Sequence, residues 1–395
     1  MTMKILFSLP PKSEILIFDA FATQGLLPIL KPDSFTIFRN RKSELHLVVI
    51  LHMFARLKCS WYEYCTSYLR LSRPKVVITG VDTNPVFYGL KSKFPRVTFI
   101  SIQNGIRGTG SPIPESDLWT LLKISPRQPP AVDLMVTFGS AHSQLYKSYI
   151  QCNTLEIGST RSNLIPVTQS RKNQDPKRIG FISQFSGRAY SDIFSDGSED
   201  PLAVYFGSRA MTAQTYFEAD ARVANVVAAI SASHQWDFVI AGRRGPDIGL
   251  ERRFFEQSCG DLQFQFSPKV SEENSYHLLD ECDLVLTVDS TLGYEMISRG
   301  SRVIFVALRS RFIGGDAAQQ FRFAYPLELP DEGPFWTSIA DRESLEAKML
   351  SVIDMSNDEW NHHVRFVREQ LMVSDSGNHL LSQRIQELVN SDSSK

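Results

Sequence analysis

The sequence predicts an α/β protein of two doubly wound parallel-sheet domains facing a cleft, followed by a helical C-terminal tail. Three observations predict it. Short apolar runs recur along the chain and stop on small polar residues, as strands buried on both faces of a parallel sheet do. Helical stretches stand between the runs. A polar, proline-flanked segment from Pro166 to Lys177 divides the pattern, which then restarts.

The elements follow in order. Lys4–Leu9 and Ile15–Asp19 are compact apolar runs separated by Pro10 and Pro11, and Leu45–Leu71 reads as one or two helices. Lys75–Gly80 is a β-branched run followed by Asp82, Thr83 and Asn84, then a short helix over Phe87–Phe94. Val97–Ile102 ends on Gln103, Asn104 and Gly105. Leu134–Phe138, a helix over Ser140–Ile150 and the run Thr154–Ile157 complete the first half, residues 1–165. The second, residues 176–325, alternates strands Arg178–Ile182, Trp236–Ala241, Leu262–Phe266, Leu284–Val288 and Arg302–Ala307 with helices Tyr216–Ser233, Gly249–Cys259, Asn274–Cys282 and Leu292–Arg299. Residues 326–395 are mostly helical, over Asp341–Val373 and Gly377–Val389, and are expected to pack across both domains.

Composition narrows the function. The 395 residues carry 42 Lys+Arg against 43 Asp+Glu, a net charge of −1, which argues against a nucleic-acid partner held by bulk charge. Hydrophobic residues at 43% and charged residues at 22% exclude a disordered chain. Five cysteines, odd in number and without CxxC pairs, predict reduced thiols in a cytoplasmic protein. Met1–Pro10 lacks a signal-peptide pattern. Even the most apolar helix candidate, Leu45–Phe54, is interrupted by His46 and His52, so no membrane span is expected. Peripheral association with the inner face of the cytoplasmic membrane stays open. Neither GxGxxG, GxxxxGK[ST] nor HExxH spacing occurs, so no redox dinucleotide, P-loop, metal or other cofactor is expected.

Residues 276–305, YHLLDECDLVLTVDSTLGYEMISRGSRVIF, are the most informative. A buried strand stops at Asp289, and a helix opens at once behind Ser290 and Thr291. Unpaired amides and the dipole of a helix start favour an anion, and two hydroxyls add donors. Gly293 would let a ligand approach the backbone, and Glu295, one turn beyond Thr291, could accept from a ribose or sugar hydroxyl pair. The plainer alternative is that Ser290 or Thr291 caps the helix and Glu295 completes the cap.

This arrangement, D-L-V-(x)3-D-S-T-x-G-Y-E-(x)3-R-G-x-(K/R)-V, resembles the nucleotide-binding half of GT-B-fold glycosyltransferases that build bacterial O-antigen and capsule. PKVVITGVDTNPVFYGL, FISIQNGIRG and FISQF resemble further segments of that group. The likeness covers Pro74–Arg107 and Ile179–Val306; the termini match poorly. It implies two Rossmann-like domains and metal-independent transfer from a nucleotide-sugar donor to a glycan or glycolipid acceptor of the cell surface. The donor stays open between a CMP-linked ulosonic acid such as Kdo and a UDP- or GDP-sugar. Where related capsule and teichoic-acid enzymes often carry His after the Gln of a QHG-like turn, this chain has Asn104, which leaves a histidine base in doubt.

The resemblance also assigns the Ser183–Gln184 turn to the donor phosphates. At a strand end, Arg243 suits bidentate contact with phosphate and is preferred over Arg244. In the first domain, Asn84, Asn104 and Gly105 would face the acceptor, and Asp82 or Glu156 would handle its proton. Asp220 would be a nucleophile only on a covalent retaining route; in the first turn of its helix it otherwise serves the dipole. Two rival functions remain: a UDP-sugar 2-epimerase, and a non-catalytic sugar-nucleotide-binding subunit of polysaccharide assembly.

Overall fold

The computed structural model describes residues 4–19, 23–39, 44–106, 130–168, 175–185, 204–206, 209–211, 213–243, 248–308 and 332–391. These residues group into two compact units. Unit 1 holds the described residues up to 106, from 130 to 164 and from 373 onward; unit 2 holds those between 165 and 372.

Unit 1 is built from β1 (Lys4–Leu6), β2 (Ile15–Ile17), β3 (Phe35–Ile37), β4 (Glu44–His46), α1 (Leu47–Phe54), α2 (Trp61–Ser72), β5 (Val76–Thr79), α3 (Pro85–Lys91), β6 (Thr98–Ile102), β7 (Ala131–Thr137), α4 (Ser140–Tyr149) and β8 (Gln151–Glu156). Six strands pair in the order β3-β2-β5-β6-β7-β8, all parallel. Both faces are covered, which is why the strands read as unbroken apolar runs. Leu16, Val77, Phe99 and Met135 pack in one core with Val49, Tyr68, Leu90 and Tyr146. Ile15, Ile17, Ile78, Ile100 and Val136 pack in another. The run Lys4–Leu9 departs from the expected sheet: β1 pairs in parallel with β4 as a separate two-stranded ribbon. The stretch Leu45–Leu71 resolves into two helices, and Ser60 caps the second by accepting from the Glu63 amide.

Unit 2 contains β9 (Arg178–Ile182), a hairpin of β10 (Val204–Phe206) and β11 (Arg209–Met211), α5 (Ala213–His234), β12 (Asp237–Ala241), α6 (Ile248–Cys259), β13 (Gln265–Ser267), α7 (Glu272–Asp280), β14 (Leu284–Thr287), α8 (Thr291–Ser298), β15 (Val303–Val306), β16 (Glu332–Gly333), β17 (Trp336–Thr337), α9 (Arg342–Asp354) and α10 (Asn357–Phe366). The sheet order is β13-β12-β9-β14-β15-β17-β16, with only β16 antiparallel. From β9 the chain steps outward to β12 and β13, then returns to β14 on the other side. That reversal puts the topological switch point between β9 and β14, where open parallel sheets bind ligands outside the strands' carboxyl ends.

After unit 2 the chain returns to unit 1 as α11 (His379–Ser391), whose Leu381 and Ile385 join the second core. Asn378 pins the return: its amide nitrogen donates to the Gly25 and Thr160 carbonyls, and its oxygen accepts from Asn163. Among the described residues no helix is long and apolar enough to cross a membrane. All five cysteines are free, and burial pushes the Cys259 thiol up to about 12.

Candidate functional site

Three neighbouring strands of unit 2, β12, β9 and β14, run in parallel and deliver the candidate residues to their carboxyl ends. Ser183 and Gln184 follow β9, Arg243 follows β12, and Ser290 and Thr291 follow β14. Arg244 lies outside the described residues.

The turns after β9 and β12 are tied by a carboxylate that sequence reasoning missed. Glu251, in the first turn of α6, is 3% exposed. Its Oε1 accepts from the Ser183 hydroxyl at 2.5 Å and from the Arg243 amide at 2.7 Å. Burial pushes its carboxyl up to about 7; the bonds from Ser183 and Arg243 act against that rise, and nearby Asp220 adds to it. The Arg243 guanidinium remains exposed and donates to the Gln184 carbonyl at 3.0 Å. Asp220 is fully buried and accepts from the Gln184 amide at 3.1 Å. Because α5 starts three residues before the expected Tyr216, Asp220 falls in its second turn, so dipole pairing is not its role. Glu251 and Asp220 together shape the turn that Ser183 and Gln184 form. The only sequence signal for Glu251 was its place in the first turn of the helix behind a Gly- and Arg-rich strand end.

At β14, Ser290 is the N-cap of α8, and its hydroxyl accepts from the Leu292 amide at 3.3 Å. The Ser290 amide donates to Thr287 Oγ1 at 3.2 Å and the Gly293 amide to the Ser290 carbonyl at 3.0 Å, so an anion here would share amides already in use and draw mainly on the helix dipole. Gly293 has a different reason from the one expected. A Cβ there would stand 2.8 Å from Thr287 Cγ2 and 2.9 Å from the Phe305 ring, so the glycine lets α8 lie close on the sheet. Glu295 does not close the cap. Its Oε2 accepts from the Tyr276 hydroxyl at 2.7 Å, while Oε1 is buried without a hydrogen-bond partner among the described residues. Tyr276 in turn lies 5.1 Å from the Arg299 guanidinium, ring centroid to carbon. Arg299 grips buried Asp280 with two nitrogens and donates to the carbonyls of Ile165, at 2.7 Å, and Pro166, at 3.1 Å. The helix then ends on Gly300 at a φ of +93°, where glycine is the residue that avoids strain.

In unit 1, Asp82 and Asn84 follow β5 and Asn104 and Gly105 follow β6. Asp82 is fully buried and accepts a short hydrogen bond from Tyr146, itself fully buried; Tyr88 donates to the Asp82 carbonyl at 2.8 Å. This buried carboxylate is thus paired with the unit 1 core. Asn84 caps α3 by accepting from the Val86 amide at 3.1 Å. Gln103 binds the Gly105 carbonyl and the Phe138 amide, which fixes the turn that holds half-buried Asn104 and Gly105. Glu156, the last residue of β8, is exposed at the sheet edge. Among the described residues no group of three or more His, Cys, Asp or Glu is arranged to hold a metal ion.

A family profile described as "putative O-antigen biosynthesis protein" matches residues 100–389, more than two thirds of the chain. The chain belongs to that family. No curated protein matches it in sequence. Similar solved structures include one described as the S. aureus MnaA–UDP co-structure, at 11% identity and a TM-score of 0.53, with 96% of this chain and 97% of that one covered. Another is a "putative UDP-N-acetylglucosamine 2-epimerase" from Listeria monocytogenes, at 12% identity and a TM-score of 0.52, with 96% of each chain covered. The wall teichoic acid polymerase TagF aligns at 12% identity and a TM-score of 0.52, covering 97% of this chain and 90% of its own. At such identities the likeness establishes the fold. This O-antigen biosynthesis family member has a GT-B-like fold, one that transferases and epimerases share.

Proposed function

We propose that this protein is a glycosyltransferase that moves a sugar from a nucleotide-sugar to an O-antigen or lipopolysaccharide acceptor, with unit 2 holding the nucleotide. The observation that carries the reading is the half-used carboxylate of Glu295. One oxygen is bound by Tyr276; the other is buried and has no partner among the described residues. A buried polar atom left unpaired is costly, and a ligand hydroxyl would satisfy it. Glu295 stands on the helix that opens behind Ser290, so a ribose on Glu295 would bring its phosphate toward the positive end of that helix's dipole. Arg243 would add a bidentate cation, and these fixed dipoles and charge would stabilise the leaving phosphate. Ser183 and Gln184 belong to this phosphate side, shaped by Glu251 and Asp220. The acceptor is assigned to unit 1, near Asn84, Asn104 and Gly105. Glu156, the exposed carboxylate of the two first considered, is the candidate for its proton. CMP-Kdo, UDP- and GDP-sugars all remain donors to be tried.

The test is calorimetric titration with CMP, UDP and GDP, then with the corresponding sugar donors. Binding of at least one nucleotide is expected, weakened about tenfold by Glu295→Gln, or ~1.4 kcal/mol, with the fold intact by circular dichroism. Equal affinity in wild type and variant would remove Glu295 from the site. Conversion of UDP-N-acetylglucosamine to its epimer without an acceptor would replace transfer by epimerisation. Nucleotide binding without turnover on any donor–acceptor pair would favour a non-catalytic subunit.

A further inference from the structure

The ribbon and first helix of unit 1 expose apolar side chains that the core does not use. Ile5, Phe7 and Leu9 are exposed by 50%, 78% and 59%, and stand at every second position from β1 onward. Leu51, Phe54 and Leu57 are exposed by 58%, 52% and 97%, at every third position through α1 and the turn behind it. The opposite side of α1 is spoken for, since Val49 and Met53 are buried in the core. The two segments form one local structure. Strand β1 pairs with β4, β4 runs directly into α1, and the His46 ring bonds the Ser8 carbonyl at 3.0 Å.

The charges in these segments have one sign. Residues 4–13 and 47–60 contain Lys4, Lys12, Arg56 and Lys58 and no Asp or Glu, in a chain whose overall charges balance. Lys4, Lys12 and Arg56 make no ion pair among the described residues. Lys58 shares Glu63 with Lys93, two cations on one carboxylate. Glu44 lies beside Lys4 in the ribbon register and within 3.9 Å of Arg39. The surface is therefore apolar and cationic together.

We propose that this surface docks on an anionic lipid bilayer, with the six apolar side chains entering the interface and the cations meeting the headgroups. Shallow apolar insertion and electrostatic attraction each bind weakly and together hold a protein at a membrane. A second copy of the chain is a poor occupant. A two-fold contact sets the same patch against itself and would gather like cations on both sides. Docking does not depend on the nucleotide site, and its test contains no nucleotide.

The full chain is sedimented with vesicles of phosphatidylcholine alone and of phosphatidylcholine with 30% phosphatidylglycerol, at low and high salt. Binding to the anionic vesicles is expected, at least tenfold stronger than to neutral ones and weakened by salt. The triple variant Leu51→Ser, Phe54→Ser, Leu57→Ser should lower partitioning at least tenfold while the melting curve is retained. The double variant Lys4→Glu, Arg56→Glu should abolish the preference for anionic vesicles; it stands in for the triple variant if that one does not fold. The proposal is overturned if wild type stays in the supernatant with anionic vesicles, or if both variants partition as wild type does. Light scattering that shows a wild-type dimer converted to monomer by the triple variant would also overturn it, and would make the patch a self-interface.

Discussion

The carboxyl ends of the two parallel sheets carry similar residue types and use them differently. In unit 1 the polar groups are consumed within the fold: Asp82 by Tyr146, Asn84 as a helix cap, Gln103 by the Phe138 amide and Gly105 carbonyl. In unit 2 the corresponding network is incomplete. Glu295 keeps one buried oxygen without a partner among the described residues, and Arg243, at the end of β12 with β9 between that strand and β14, keeps an exposed guanidinium. A carboxylate behind a strand is thus no guide to chemistry until its partners are known. What distinguishes a site from a scaffold is hydrogen-bonding capacity left over.

Three measurements press on that contrast, besides the nucleotide titration of Glu295→Gln. The largest effect is expected from Arg299→Ala, which leaves Asp280 buried without its guanidinium and frees the Ile165 and Pro166 carbonyls. Unit 2 should lose about 3–5 kcal/mol in denaturant unfolding. A loss below about 1 kcal/mol would mean that this network does not hold the Tyr276–Glu295 pair in place.

Glu251 comes next and shows itself through pH. Its folded value of about 7 lies above the ordinary 4.5, so between those values the native state keeps a proton that the unfolded chain releases. The stabilisation is fully present below pH 4.5 and is lost as the pH rises through about 7. The change across that window is about 3 kcal/mol. Thermal midpoints should fall from pH 5 to pH 8, and Glu251→Gln should flatten that slope. A slope unchanged in the variant would assign the effect to other groups.

The smallest effect is Tyr146→Phe, which removes the donor to Asp82 and should cost unit 1 about 2 kcal/mol. Nucleotide affinity should not change. If instead stability holds and sugar transfer collapses, Asp82 is catalytic and the contrast between the sheets fails.

Much of the architecture was legible in the sequence. The buried strands announced themselves as unbroken β-branched runs, because helices on both faces leave no polar side. The helix start at Ser290–Thr291 was legible for the same local reason, a small polar pair between an apolar strand and an amphipathic turn. Glu251 was not, because it earns its role from Ser183, 68 residues away, and such pairing leaves no periodic trace. Gly293 was misread as a ligand-facing glycine because spacing cannot say which side of a helix meets Phe305. The ribbon was missed since Lys4–Leu9 has strand composition, and only tertiary pairing with β4 separates it from the main sheet.

The return of the chain has a consequence for how this protein can be cut. Leu381 and Ile385 complete the second core of the first unit although they are encoded after the whole second unit. A fragment stopped near residue 165 would therefore lack part of its own interior, the core shared with Ile78 and Val136. Recombination that exchanged the second unit between relatives would have to leave the last two dozen codons behind with the first, so these modules are nested rather than serial.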